Sequence, residues 1–243
     1  MTSSTRVAHS VEYVNQAASW AIRHWLGIVN ITWGVLVGGP WLAPIAMVLG
    51  WTGVANVVYF LYSFLCHQYA NRSFFLFGPK LMYSYTELLP YTSDATTWWG
   101  LRAFRGNADL GYKVAWSDRM VWLYGSIFLA GLLFALLRGR IRPLSWKLFI
   151  LMLVPLALDG STHVISDLFG VGQGFRYTNA WLASLTASRW PTSFYVGNAP
   201  GSFNFLMRLI TGVMSGVAVV WFAYPRLHLA LTGRSATSEG RSG

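Results

Sequence analysis

Charge is what this chain of 243 residues has least of. Only 11% of its residues are Asp, Glu, Lys or Arg, against roughly 25% in an average soluble domain. That shortage excludes an ordinary soluble globular protein. Acids are the scarcer sign, 8 against 18 basic residues, leaving a formal charge of +10. In a soluble chain such an excess points to nucleic acid. Here the basic residues flank apolar runs, so membrane topology and anionic headgroups account for them and no nucleic-acid partner is expected. Cysteine is nearly missing too: Cys66 is the only one, which excludes an internal disulfide. The chain also lacks a G-x-S-x-G elbow, a P-loop, an HExxH pair and a haem-attachment motif, and with them the chemistries those motifs define.

What is present is apolar and aromatic. Hydrophobic residues make up 54% of the chain, mean hydropathy is +0.43, and there are 13 Trp and 12 Tyr, the rings that favour bilayer interfaces. A hydrocarbon core needs about 20 apolar residues per helical crossing. Five runs qualify, near 25–39, 48–66, 119–137, 144–165 and 203–224. The expected fold is therefore an all-α integral membrane protein, a bundle of about five transmembrane helices. Residues 1–24 read as a polar, amphipathic segment without a signal-peptide pattern. Residues 25–224 form a single transmembrane domain. Residues 225–243 form a basic, flexible tail, Gly/Ser-rich at its end.

Basic residues set the orientation. Arg138, Arg140, Arg142 and Lys147 crowd the loop after the third run, and Arg226 and Arg234 follow the fifth. The positive-inside rule makes that side, and the C-terminus, cytoplasmic, in the cytoplasmic membrane of a prokaryote. Five crossings then put the N-terminus outside, against the indication of Arg6 and Arg23. Segments 67–118 and 167–202 become long extracytoplasmic loops. Their Trp98, Trp99, Phe104, Trp116, Trp181 and Trp190 suggest segments lying in the headgroup layer.

The polar residues of four helix ends fall on that outer side: Cys66 and His67, Asp118 and Arg119, Asp159, Thr162 and His163, then Asn204 and Arg208. Charges inside membrane segments are costly, so Asp159 and Arg208 should face the bundle and have partners. Asp159, His163 and Asp167 stand at i, i+4 and i+8, one helical face. A carboxylate and an imidazole one turn apart suit a divalent cation or proton transfer. With Cys66, His67 and Asp118 they make a candidate metal set, zinc or another divalent ion. Arg72, Arg119 and Arg208 are candidates for an anionic lipid or phosphate group. The plainer alternative pairs Asp159 with Arg208 or Arg119 and leaves His163 at the interface. The glycine-rich GVGQG at 170–174 reads as a turn, since no strand precedes it. The small residues of GSIFLAG at 125–131 and TGVMSG at 211–216 suit close helix packing.

Three motifs carry a resemblance. CHQYANRSFFLFG at 66–78, PLALDGSTH at 155–163 and FNFLMRLITG at 203–212 resemble the CHQ-x3-RSF, PxALDGxTQ and NxLRxxTG motifs of an uncharacterised family of bacterial and archaeal polytopic membrane proteins, a domain of unknown function. The resemblance spans about residues 50–222. It matches Cys66, His67, Arg72, Ser73, Arg119, Asp159, Gly160, Thr162 and Arg208, and implies a soft-metal site. The family's CxRC cysteines are replaced by Ser117 and Met120, its glutamine by His163, and residues 81–115 are an insertion. Two function classes follow. One is a metal or anion site acting on, or binding, a lipid-linked anionic substrate. The other is a non-catalytic accessory or scaffold subunit with membrane-protein partners. A transporter is disfavoured by the lack of an internal repeat.

Overall fold

A computed structural model describes the backbone of residues 3–92, 94–138 and 140–239, and the side chains of residues 12–92, 94–138 and 140–233. Four of its helices are long and apolar enough to cross a membrane, and they call for a lipid environment.

The first helix, α1 (Ser3–Val48), takes in the polar segment and the first apolar run without interruption. It continues through Pro40 and Pro44, where a proline removes the N–H that would bond four residues back. For Pro40 the orphaned carbonyl is that of Leu36, and the Tyr62 hydroxyl donates to it at 3.0 Å. The second run is not the expected crossing. The chain turns at Leu49–Trp51, with Gly50 at φ +75°, and α2 (Thr52–Ser63) folds back along α1. Twelve residues at 1.5 Å each reach only about 18 Å, short of the roughly 30 Å core. Gly39 lets Tyr62 approach: any Cβ there would overlap the phenol ring.

The 67–118 segment is not a loop. It folds as a cap containing β1 (Ser73–Leu76), short helices α3 (Tyr85–Leu88) and α4 (Trp98–Ala103), β2 (Gly106–Asn107) and β3 (Gly111–Ser117). The strands form an antiparallel sheet of order β1-β3-β2, with Ser73 opposite Ser117 and Phe75 opposite Lys113. The fold is otherwise helical, as expected, and this small sheet is its one addition among the described residues. The strands are so short that their alternation is hidden among aromatic residues. The cap has its own core of Phe75, Tyr83, Leu88, Leu101 and Leu110. Trp116 is fully buried, while Trp99, Trp181 and Trp190 are exposed.

The other helices long and apolar enough to cross are α5 (Asp118–Leu137), α6 (Trp146–Asp167) and, after short helices α7 (Phe175–Thr178), α8 (Ala180–Leu185) and α9 (Thr192–Tyr195), α10 (Phe203–Glu239). The tail expected from 225 is helical through Glu239; residues 240–243, and the side chains of Arg6 and Arg234, lie outside the described residues. Pro225 frees the Trp221 carbonyl, which the Leu144 N–H caps at 3.3 Å. The small residues do bring helices close: Gly212 and Gly216 of α10 abut Leu123 and Ser126 of α5. α5 and α6 both pack on α10 rather than along each other, and α1 packs on α5, where Asn30 donates to the Gly131 carbonyl at 3.2 Å.

Trp25, Phe134, Tyr224 and His228 gather at one end. The start of the apolar part of α1, the connection between α5 and α6 and the end of α10 share that end. The cap, and the polar residues of α5, α6 and α10, occupy the other.

Candidate functional site

The link between the cap and the bundle begins at Cys66. Its sulfur accepts the Gln68 and Ser117 N–H groups, each at 3.3 Å, and its S–H faces the Ser117 hydroxyl at 3.3 Å. A lone buried thiol thus ties the chain after α2 to the start of α5. His67 points outward, exposed and stacked on Tyr69.

Behind that junction lies a chain of guanidinium–carboxylate contacts. Arg208 Nε reaches Asp118 Oδ1 and Oδ2 at 2.9 and 2.7 Å, while its Nη1 donates to Asn198 Oδ1 at 2.7 Å. Asp159 takes two arginines, Arg119 at 2.7 Å and Arg176 at 2.5 Å. Arg176 also meets His163 Nε2 at 3.1 Å. Arg72 forms a two-point pair with Asp167 at 2.8 and 2.6 Å, and the Trp98 indole donates to the Asp167 carbonyl. Asp118, Asp159, His163, Arg176 and Arg208 are all buried. Buried pairs of this kind need every partner, because a charge left alone loses its solvation without compensation.

The sequence pairing was thus half right: Asp159 does meet Arg119, but Arg208 belongs to Asp118. His163 is buried within the cluster, not at the interface. Arg176 was missed. It lies outside every apolar run, and only the tertiary path brings it back. That path is the glycine-rich 170–174 segment, a turn as expected, with Gly170 at φ +104° and Gly172 at φ +73°. Gly174 lies against the Ser166 carbonyl and hydroxyl, leaving no space for a Cβ. The Ser166 hydroxyl then accepts the Arg176 N–H at 2.9 Å, which aims the side chain at Asp159. A basic residue following a Gly-rich turn, beside a helix with an unpaired Asp, was the available signal. Asn179 and Asn204 anchor the same turn, donating to the Arg176 carbonyl at 2.9 and 2.5 Å.

A cavity of about 700 Å³ opens beside this cluster, between the cap and the adjoining ends of α5 and α6. Cys66, His67, Asp118 and His163 all line it, as do Arg72, Arg119 and Arg208; Asp159 stands behind them. Its apolar rim includes Val164 and Leu168, both exposed. Among the described residues, no group of three or more His, Cys, Asp or Glu is placed to hold one metal ion. Three of the five expected zinc donors are otherwise engaged. Both Asp118 oxygens face Arg208, Asp159 is held by two guanidiniums, and the Cys66 sulfur takes two N–H groups.

The cluster has more donors than acceptors to spare. Four guanidiniums face three carboxylates; among the described residues Arg119 Nη1, Arg72 Nε, Arg176 Nε and His163 Nδ1 are buried without a hydrogen-bond partner, against Asp159 Oδ2 as the one carboxylate oxygen in that position. Unmet buried donors are costly and call for an acceptor.

No family model matches the chain, and it has no match among curated proteins or solved structures. The family resemblance therefore rests on the three sequence motifs alone.

Proposed function

We propose that this chain is a multi-pass membrane protein of the resembled family, whose cap-end cavity binds the anionic headgroup of a lipid-linked ligand. The observation that carries this reading is the surplus of guanidinium over carboxylate around the cavity, with unmet donors on Arg119 and His163. A phosphate or carboxylate oxygen supplies the acceptors those donors lack. The exposed Val164 and Leu168 at the rim suit the apolar part of such a ligand. Arg23, Arg138, Arg140, Arg142, Lys147 and Arg226 lie toward the opposite end, so the positive-inside rule makes that end cytoplasmic. The cavity then faces the extracytoplasmic headgroup layer, and both termini of the bundle are cytoplasmic.

The test is binding of a short-chain phosphatidic acid to the full chain in neutral detergent. Wild type should bind it in preference to phosphatidylcholine. Arg119→Gln should weaken binding by about 10-fold or more, the scale of one charge-assisted hydrogen bond. Equal affinity of both proteins would remove the reading.

A second reading, a non-catalytic subunit of a larger membrane complex, draws on the pairing of every carboxylate in the cluster and on the exposed Trp181 and Trp190. It requires stoichiometric partner subunits to co-purify in mild detergent; a homogeneous monomer counts against it.

A further inference from the structure

A second basic pocket, separate from the cavity, lies between α2 and α4. It encloses about 460 Å³ and is lined by Tyr59, Phe60, Ser63, Trp99, Arg102 and Arg105. Neither arginine has a carboxylate partner among the described residues. Arg105 lies over the Tyr59 ring, 4.8 Å from its centroid. Arg102 lies near Trp99, 5.8 Å from its ring centroid, and donates only to the Ser63 carbonyl at 3.4 Å. Half-buried, they lose part of their hydration without gaining a counter-ion.

A third basic side chain lies just behind them. Lys113 is fully buried, and its ammonium donates to the Gln68 and Arg102 carbonyls at 2.7 and 2.6 Å. The two arginines by themselves make the local field positive. The surroundings are apolar and exposed: Trp99 is 77% and Phe60 62% accessible, and Val57, Leu61 and Phe64 continue the open face of α2. A pocket with uncompensated positive charge, edged by exposed rings and a bare apolar helix face, matches an amphiphile with an anionic head.

We infer that the α2–α4 pocket is a docking site for an acidic bilayer phospholipid, its phosphate between Arg102 and Arg105 and its chains along Phe60 and the outer face of α2. The site is independent of the cavity: it shares with it only Gln68, and its arginines belong to no ion pair among the described residues.

The experiment uses the full chain in neutral detergent, with short-chain phosphatidylglycerol, short-chain phosphatidylcholine and inorganic phosphate as probes. Wild type should bind phosphatidylglycerol well above phosphatidylcholine, and inorganic phosphate far more weakly. The double variant Arg102→Gln/Arg105→Gln should bind phosphatidylglycerol about 30-fold less well, the combined effect of two interfacial basic residues, with phosphatidylcholine binding unchanged. The comparison of Arg102→Gln/Arg105→Gln with its parent is repeated in an Arg119→Gln background, which removes the cavity's own anion contact, so that the selectivity read there belongs to the pocket. Selectivity that survives the double variant overturns the site. Inorganic phosphate binding as tightly as phosphatidylglycerol overturns the lipid assignment. Should the double variant fail to fold, wild type alone decides: preference for phosphatidylglycerol must fall as salt rises, and salt-independent preference overturns the proposal.

Discussion

Arg72, Arg119, Arg176 and Arg208 each have a carboxylate at 2.5 to 2.7 Å, whereas Arg102 and Arg105 have none among the described residues. The first group joins elements distant in sequence. Arg208 of α10 holds Asp118 of α5, Arg119 of α5 holds Asp159 of α6, and Arg72 beside β1 holds Asp167. Removing one partner there strands a buried charge. The second group lies between α2 and α4 at an exposed aromatic rim, where losing a charge leaves nothing uncompensated. The same residue type thus serves as a latch between helix ends in one region and as an open anion contact in the other. Three of the chain's 8 acids, Asp118, Asp159 and Asp167, are spent on the latch.

The largest effect expected from this contrast is at Asp118. Asp118→Ala should destabilise the protein by about 3–5 kcal/mol, the cost of breaking a buried pair, measured by thermal unfolding in detergent. Replacing both partners, as Asp118→Leu with Arg208→Met, should recover much of that loss. A single variant that melts like wild type would show that the pair is solvated and not a latch.

Next in size is the pH response of Lys113. Burial, and then the Arg105 and Arg102 charges against an opposing Cys66 contribution, push its amine down from an ordinary 10.5 to about 7. The unfolded chain therefore binds more protons than the folded one between those values, and stability rises with pH across the window. Lys113→Met should flatten the rise in melting temperature between about pH 7 and pH 10. An unchanged slope would assign it to other groups. Tyr59, whose hydroxyl donates to the Lys113 carbonyl at 2.6 Å, is itself pushed above its usual range by burial and does not titrate in that window.

Smaller again is Tyr62→Phe, which leaves the Leu36 carbonyl freed by Pro40 without its donor and should cost about 1 kcal/mol. Adding Pro40→Ala should restore most of it by rebuilding the helical bond, a double-mutant cycle that isolates the coupling. The smallest effect should come from Arg102→Gln/Arg105→Gln, which should shift stability by no more than about 0.5 kcal/mol, as expected for substitutions outside buried networks. A loss comparable to Asp118→Ala would erase the distinction between the two sets of arginines.

Much of the frame was legible in the residues. The runs at 119–137, 144–165 and 203–224 correspond closely to α5, α6 and part of α10, because a bilayer crossing leaves a long, uncharged signature. The run at 48–66 carried the same composition but a different outcome. Composition does not tell a crossing from a helix that turns at Gly50 and folds back. The cap strands were hidden for a related reason, since their stability comes from packing on Phe75 and Trp116 rather than from their own pattern.

By itself the sequence determined that long apolar segments suit a lipid environment and that Asp118, Asp159 and Arg208 stand near the ends of three of them. Both follow from local composition, the energetic preference of each segment for lipid or water. Only the tertiary structure decided which arginine meets which aspartate. That choice depends on α10 lying between α5 and α6, and on the Gly170–Gly174 turn carrying Arg176 back to Asp159. A metal set and an ion-pair latch draw on the same carboxylates and histidine, and spacing along the chain does not separate them. The guanidiniums that reach Asp118 and Asp159 from other helices do.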